Sequence, residues 1–220
     1  MNEKTVILET EWNRGIILGD EWANCITHAI GLLLSLIGTI AMVVWGWNSE
    51  DAWRLPSLAL YGGSLIVLYT ASTLYHSVRK PVLRRMWRVI DHCAIYILIA
   101  GSYTPFMLIA LRGVWGWTLF GTVWTLAILG IVCKIFFIDR FKGMLTALYL
   151  LMGWLVVIAT EPLMNIIPQG GLYLLVAGGL CYTGGVIFFI MDKRRFYHAI
   201  WHLFVLGGSI CHYLAVFFYV

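Results

Sequence analysis

Seven apolar stretches follow one another along this chain, each about as long as a bilayer is thick, with only short polar breaks between them. They read as spans over residues 22–47, 55–77, 89–111, 114–138, 143–160, 167–191 and 196–220. A membrane helix needs ~20 apolar residues, and every stretch meets or nearly meets that length. In hydrocarbon each backbone N–H and C=O must be satisfied within the protein, which leaves helices or a closed barrel. Barrel strands are about half as long as these stretches and alternate in polarity. The expected fold is therefore all-α, an integral membrane bundle of seven transmembrane helices. Only 12% of the 220 residues are charged, against about a quarter in soluble domains, so a sizeable soluble domain is excluded.

The expected organisation is a polar tail over residues 1–21 and one membrane domain over residues 22–220. The tail carries Glu3, Glu9, Glu11, Asp20 and Glu21 and is not expected to act as a signal peptide, which needs a basic start and a short apolar core. Residues 12–18 read as an interfacial piece. Pro105 is expected to kink or end the third helix, and Glu161-Pro162 to break the fifth.

Basic residues set the orientation. Lys4, Arg14, Arg79, Lys80, Arg84, Arg85, Arg88, Lys134, Arg140, Lys142, Lys193, Arg194 and Arg195 fall in the tail and the breaks after spans two, four and six. The other side holds only Arg54 and Arg112, thirteen against two. The positive-inside rule then places the N-terminus in the cytoplasm and the C-terminus outside. These flanks read as topology and lipid headgroup contact, with no nucleic acid as partner.

That topology gathers the polar residues at one depth. His198 and His202 open the last span four residues apart, on one helical face, with Cβ atoms roughly 5–6 Å apart. His76 closes the second span at the same side, Asp91 opens the third, and Glu21, Asn24 and His28 open the first. Ionisable groups inside a membrane are costly and are usually functional. Three histidines make a catalytic zinc set that keeps a fourth position open. His76, His198 and His202 are the candidate metal ligands. Asp91 is the candidate base that orients water, and Ser72, four residues before His76, is its candidate partner. Zinc in such a site generates a nucleophile and polarises a carbonyl, and a substrate reaching it inside a bundle is a lipid.

Plainer readings stand beside this one. A lone interfacial histidine is ordinarily a satisfied polar residue. His92 lies roughly 100° around the helix from Asp91 and reads as support or packing, as does His28; His212 lies deeper and reads as structural. Cys25, Cys93, Cys133, Cys181 and Cys211 form no Cys-x-x-Cys pair and read as small buried side chains. Tryptophan and tyrosine read as interfacial belts. Gly62-Gly63, Gly178-Gly179, Gly184-Gly185 and Gly207-Gly208 read as sites of close helix approach.

Five motifs together carry a resemblance: Glu21-x-x-Asn24-x-x-x-His28, Ser72-Thr-Leu-Tyr-His76, Asp91-His-Cys-Ala-Ile-Tyr96, Gly101-Ser-Tyr-Thr-Pro105 and His198-Ala-Ile-Trp-His202. In order and spacing, from about residue 20 to the end, they resemble the hemolysin III family, the bacterial branch of the progestin and adipoQ receptor family. The resemblance implies seven helices with an inward N-terminus. It implies zinc on His76, His198 and His202, with Asp91 holding the zinc water and Ser72 beside it. Animal receptors of the family and the related alkaline ceramidases imply hydrolysis of a sphingolipid amide. The bacterial family name implies red-cell lysis, and roles in membrane-lipid and fluidity homeostasis have been proposed.

The expected function is thus a zinc-dependent, ceramidase-like hydrolase of a lipid amide or ester, multi-pass in the bacterial inner (plasma) membrane, with membrane lipids as partners. Two rivals need the same chain. One is a non-catalytic receptor or regulator of lipid state with structural zinc. The other is a hemolysin-like pore, against which the concentration of polar residues at one end speaks. A haem protein is disfavoured, because axial histidines come from facing helices while His198 and His202 share a face.

Overall fold

In the computed structural model the described residues are 3–137 and 140–220, with side chains for 18–137, 140–141 and 143–220. The interfacial piece expected at 12–18 falls almost wholly outside those side chains. All regular structure among the described residues is helical: α1 (Glu3–Gly46), α2 (Arg54–Ser77), α3 (Pro81–Pro105), α4 (Val114–Phe137), α5 (Lys142–Trp154), α6 (Thr160–Ile166), α7 (Gln169–Ile190) and α8 (Tyr197–Tyr219). A π turn, Phe106–Ala110, continues α3, and a 3-10 turn, Leu155–Ala159, joins α5 to α6. Seven segments among the described residues are long and apolar enough to cross a membrane: Leu18–Gly46, Arg54–Ser77, Pro81–Ala110, Val114–Phe137, Gly143–Ile166, Gln169–Ile190 and Tyr197–Tyr219. The seven apolar stretches of the sequence are these helices.

Their ends differ from the sequence reading at informative places. α3 starts at Pro81 rather than near residue 89, so Arg84, Arg85 and Arg88 ride on a helix instead of a loop. Proline suits a first helical turn, where its missing N–H has no partner to lose, and long arginine side chains can reach out to the interface. The fifth span bends at Leu155–Ala159, ahead of Glu161-Pro162, and Pro162 sits in the first turn of α6. Beyond Pro105 the helix continues as a π turn, closed by the Leu111 N–H on the Phe106 carbonyl at 2.8 Å. Lys134, counted above among the loop cations, lies within α4 with 3% of its surface exposed, its ammonium over the Tyr149 ring.

α1 packs on α2 and α8, α2 on α3, α3 on α4, and α7 on α8, while α5 makes lighter contacts with α3, α4 and α7. α3 is the most deeply buried span. Its Tyr103 hydroxyl lies 2.9 Å and 2.8 Å from the carbonyls of Met152 and Gly153 and accepts the Val156 N–H at 2.8 Å. The backbone groups freed where α5 gives way are satisfied there, as hydrocarbon requires. α7 and α8 approach closely at several glycines, Gly178 and Gly208 among them. A Cβ on Gly208 would lie 2.8 Å from the Tyr182 ring, and one on Gly178 would lie 2.2 Å from His212, so any side chain would force these helices apart.

Candidate metal centre

α2 and α8 bring the three expected histidines together. His76 ends α2, and His198 and His202 occupy the first turns of α8. One ring nitrogen of each lies within 4.8 Å of the other two. Ring centroids are 5.1 Å apart for His76–His198, 5.1 Å for His76–His202 and 4.7 Å for His198–His202. His202 and His76 are buried and His198 is half-buried.

The partners of the outer nitrogens fix the tautomers. His76 Nδ1 lies 2.7 Å from Glu21 Oε2 and donates to it. Glu21 also binds the Arg84 guanidinium. His202 Nδ1 lies 3.1 Å from the Asn24 carbonyl and 3.1 Å from Thr27 Oγ1. A backbone carbonyl only accepts, so the proton is on Nδ1 of His202. As neutral imidazoles both rings then present an Nε2 lone pair. On His76 that atom is buried and has no hydrogen-bond partner. An unpartnered ring nitrogen in a buried place costs of order 1–3 kcal/mol. Three imidazoles, two oriented by a carboxylate or carbonyl behind them, are the donor set zinc takes, and a metal would satisfy the orphan atom. The residues fit the ion.

Asp91 of α3 and Ser72 of α2 share one cavity wall with His198 and His202. Asp91 is 9% exposed and Ser72 is fully buried, its hydroxyl facing the Asp91 carboxylate. His92 lines the same cavity but stands outside the three-histidine group, and its Nδ1 donates to the Arg88 carbonyl at 2.7 Å. His28 stacks on His202 with centroids 3.5 Å apart and stands outside the three-histidine group. His212 lies farther along α8, against Tyr182, its Nε2 3.4 Å from the Leu175 carbonyl. From the histidines the cavity runs between α2, α3, α5, α7 and α8 past Leu68, Ile95, Leu98 and Ile99, and meets a second apolar cavity at Tyr103, Trp154, Gly179 and His212.

The sequence model of the family described as "Haemolysin-III related" matches residues 17–213. The chain is 48% identical to Hemolysin-3 of Bacillus cereus, over 91% of this chain and 92% of that protein. It is 47% identical to the Hemolysin-3 homolog of Bacillus subtilis (strain 168), over 91% and 94% respectively. The human Monocyte to macrophage differentiation factor is 31% identical, over 90% of this chain and 83% of that one. The chain belongs to the hemolysin III family. The stretch matching hemolysin III takes in the three histidines, Asp91, Ser72 and the Glu21–His28 face of α1.

In this hemolysin III chain the sequence assigns no role to Glu21 and Asn24, marks Arg84 only as one of the basic flanks, and gives no sign of Thr27. Their signal was available in part. Residues 21, 24 and 28 recur at helical spacing, which puts them on one face of α1. Nothing in the pattern marked Thr27, whose hydroxyl also bonds back to the Ala23 carbonyl at 2.9 Å as interior threonines commonly do.

Proposed function

We propose that this hemolysin III protein is a zinc-dependent hydrolase of a lipid amide or ester, working at the cytoplasmic side of a bacterial plasma membrane and serving its lipid composition. One observation carries the reading: of three histidines with nitrogens within 4.8 Å of one another, His198 and His202 line an apolar cavity that also bears Asp91 and Ser72. His76, His198 and His202 hold the ion. When bound, zinc supplies Lewis-acid polarisation of an acyl carbonyl and acidifies water for attack. Asp91 takes the proton from the attacking water at a carboxylate oxygen and passes it to the leaving group. The Ser72 hydroxyl, which faces Asp91, donates to the acyl oxygen. Glu21 and the Asn24 carbonyl keep His76 and His202 in the ligating tautomer. The apolar walls keep bulk water out and hold the chain of the lipid.

A lytic pore, one reading of the hemolysin name that the Bacillus relatives carry, calls for a continuous polar wall. Leu68, Ile95, Leu98, Ile99 and Val205 line this one instead, which favours a lipid occupant. The deciding test is the metal content of chelator-free protein in detergent, beside His76→Ala, His198→Ala and Asp91→Asn. We expect about one zinc per chain, lost in both histidine variants and kept in Asp91→Asn. Turnover of lipid amides or esters should fall on the order of 10²–10⁴-fold in Asp91→Asn. Wild-type protein without metal removes the reading, and undiminished turnover in Asp91→Asn removes the role of Asp91.

A further inference from the structure

A separate polar cavity of about 530 Å³ opens on the other side of His76. Glu21, Cys25, His76, Ser77, Arg79 and Arg84 line it, with Leu18 and Trp22 at its rim. Its position is interfacial: it joins the last turn of α2 to the first turns of α3. Trp22 is 60% exposed there, as tryptophans at the headgroup level are. The ionised lining groups are one carboxylate and two guanidiniums. Glu21 already binds Arg84, while Arg79 is exposed and makes no ion pair among the described residues. The uncompensated charge is thus positive, and Lys80 and Arg85, also exposed, add to it nearby.

We propose that this cavity holds the phosphate of an anionic phospholipid from the adjoining leaflet, between Arg79 and Arg84, and that its occupancy tightens the grip of His76 on the metal. The second half rests on the metal reading given above. Guanidinium pairs bidentately with phosphate oxygens and two arginines suit that group better than lysines would. The apolar rim of Leu18 and Trp22 has a use for a lipid and none for a free anion. The coupling follows from a relay already present, in which Arg84 binds Glu21 and Glu21 binds His76. A phosphate on Arg84 draws the guanidinium off Glu21. The carboxylate then accepts from His76 Nδ1–H alone, and the stronger acceptor makes the ring a more basic ligand.

The test reconstitutes the full chain into phosphatidylcholine vesicles with and without phosphatidylglycerol. It measures phosphatidylglycerol retained per chain, and zinc release to a chelator. We expect selective retention of phosphatidylglycerol and zinc release slowed up to about tenfold, the lower end of outer-shell effects. Arg79→Gln leaves the Glu21–Arg84 pair intact and should abolish both; Arg85→Gln, outside the cavity lining, should keep both. Retention of phosphatidylglycerol no greater than that of phosphatidylcholine, with equal zinc release in the two vesicle types, overturns the proposal, and so does equal loss in Arg85→Gln, which would mean diffuse surface charge. Slowing by inorganic phosphate in phosphatidylcholine vesicles overturns the lipid source. Selective retention lost in Arg79→Gln, in a chain without zinc, upholds the headgroup site and overturns the coupling together with the metal reading.

Discussion

Two carboxylate–arginine pairs sit at opposite ends of the bundle, Glu21 with Arg84 and Asp51 with Arg112. At the far end, Asp51 joins the α1–α2 connection to the end of the third span, and its other oxygen accepts the Trp53 N–H at 3.0 Å. Arg54 there reaches the Val220 carbonyl at 2.7 Å and stacks over Trp45. These contacts tie connections and helix ends and stop there. At the histidine end the same pair continues: Arg84 to Glu21, Glu21 to His76, and His76 to an Nε2 with no partner. Similar chemistry closes a loop in one place and aims a candidate ligand in the other. The difference lies in what stands behind the carboxylate.

Matched substitutions separate the two ends most sharply. Glu21→Gln keeps a carbonyl oxygen for His76 Nδ1–H but removes the charge that orients the ring and raises its basicity. Zinc affinity should fall about 10–100-fold, the range for such partners of ligating histidines. Asp51→Asn should leave zinc affinity unchanged. Competition with a chelator in detergent reads both. Equal effects at the two ends would erase the distinction.

Thr27→Val is a finer probe of the same end. His202 Nδ1 has two acceptors, the Asn24 carbonyl and Thr27 Oγ1. Removing the hydroxyl leaves the carbonyl to hold the tautomer. The loss of zinc affinity should therefore stay under about tenfold, below that of Glu21→Gln. A larger loss would make Thr27, and not the backbone, the group that orients His202.

The seven spans were legible because hydrocarbon imposes length and apolarity on every helix that crosses it, and neither depends on neighbours. The histidines were legible because charge asymmetry assigned span ends to sides, which brought His76 and His198 to one depth across more than a hundred residues of chain. Arg84 was hidden because a run of cations between apolar stretches reads as a loop, although such side chains can extend from a helix to the interface. Lys134 was hidden for the opposite reason: its position near a span end suggested solvent, and only packing puts it over the Tyr149 ring. The cavity had no sequence signal at all. It exists because α5 contacts its neighbours lightly, which is a property of pairs of helices and of no single stretch.

The far end carries the smallest prediction and the clearest sign. Burial alone would raise the Asp51 carboxyl, but the Trp53 N–H and the Arg112 guanidinium outweigh it and hold it below the ordinary carboxylate range. Its folded pKa thus lies under the unfolded value of ~3.9. The contribution of the pair is fully present above that value and fades as pH falls through the folded pKa. The Arg112 side chain is 44% exposed, so the whole effect should lie within about 0–1 kcal/mol. Thermal unfolding in detergent should show Asp51→Asn slightly less stable than wild type near neutrality, with the gap closing as pH drops below ~4. Raised salt should narrow it too, since exposed pairs are screened. A gap that widened on acidification would mean that Asp51 is stabilised in its protonated form, and the far end would then hold a buried carboxyl in place of a surface tie.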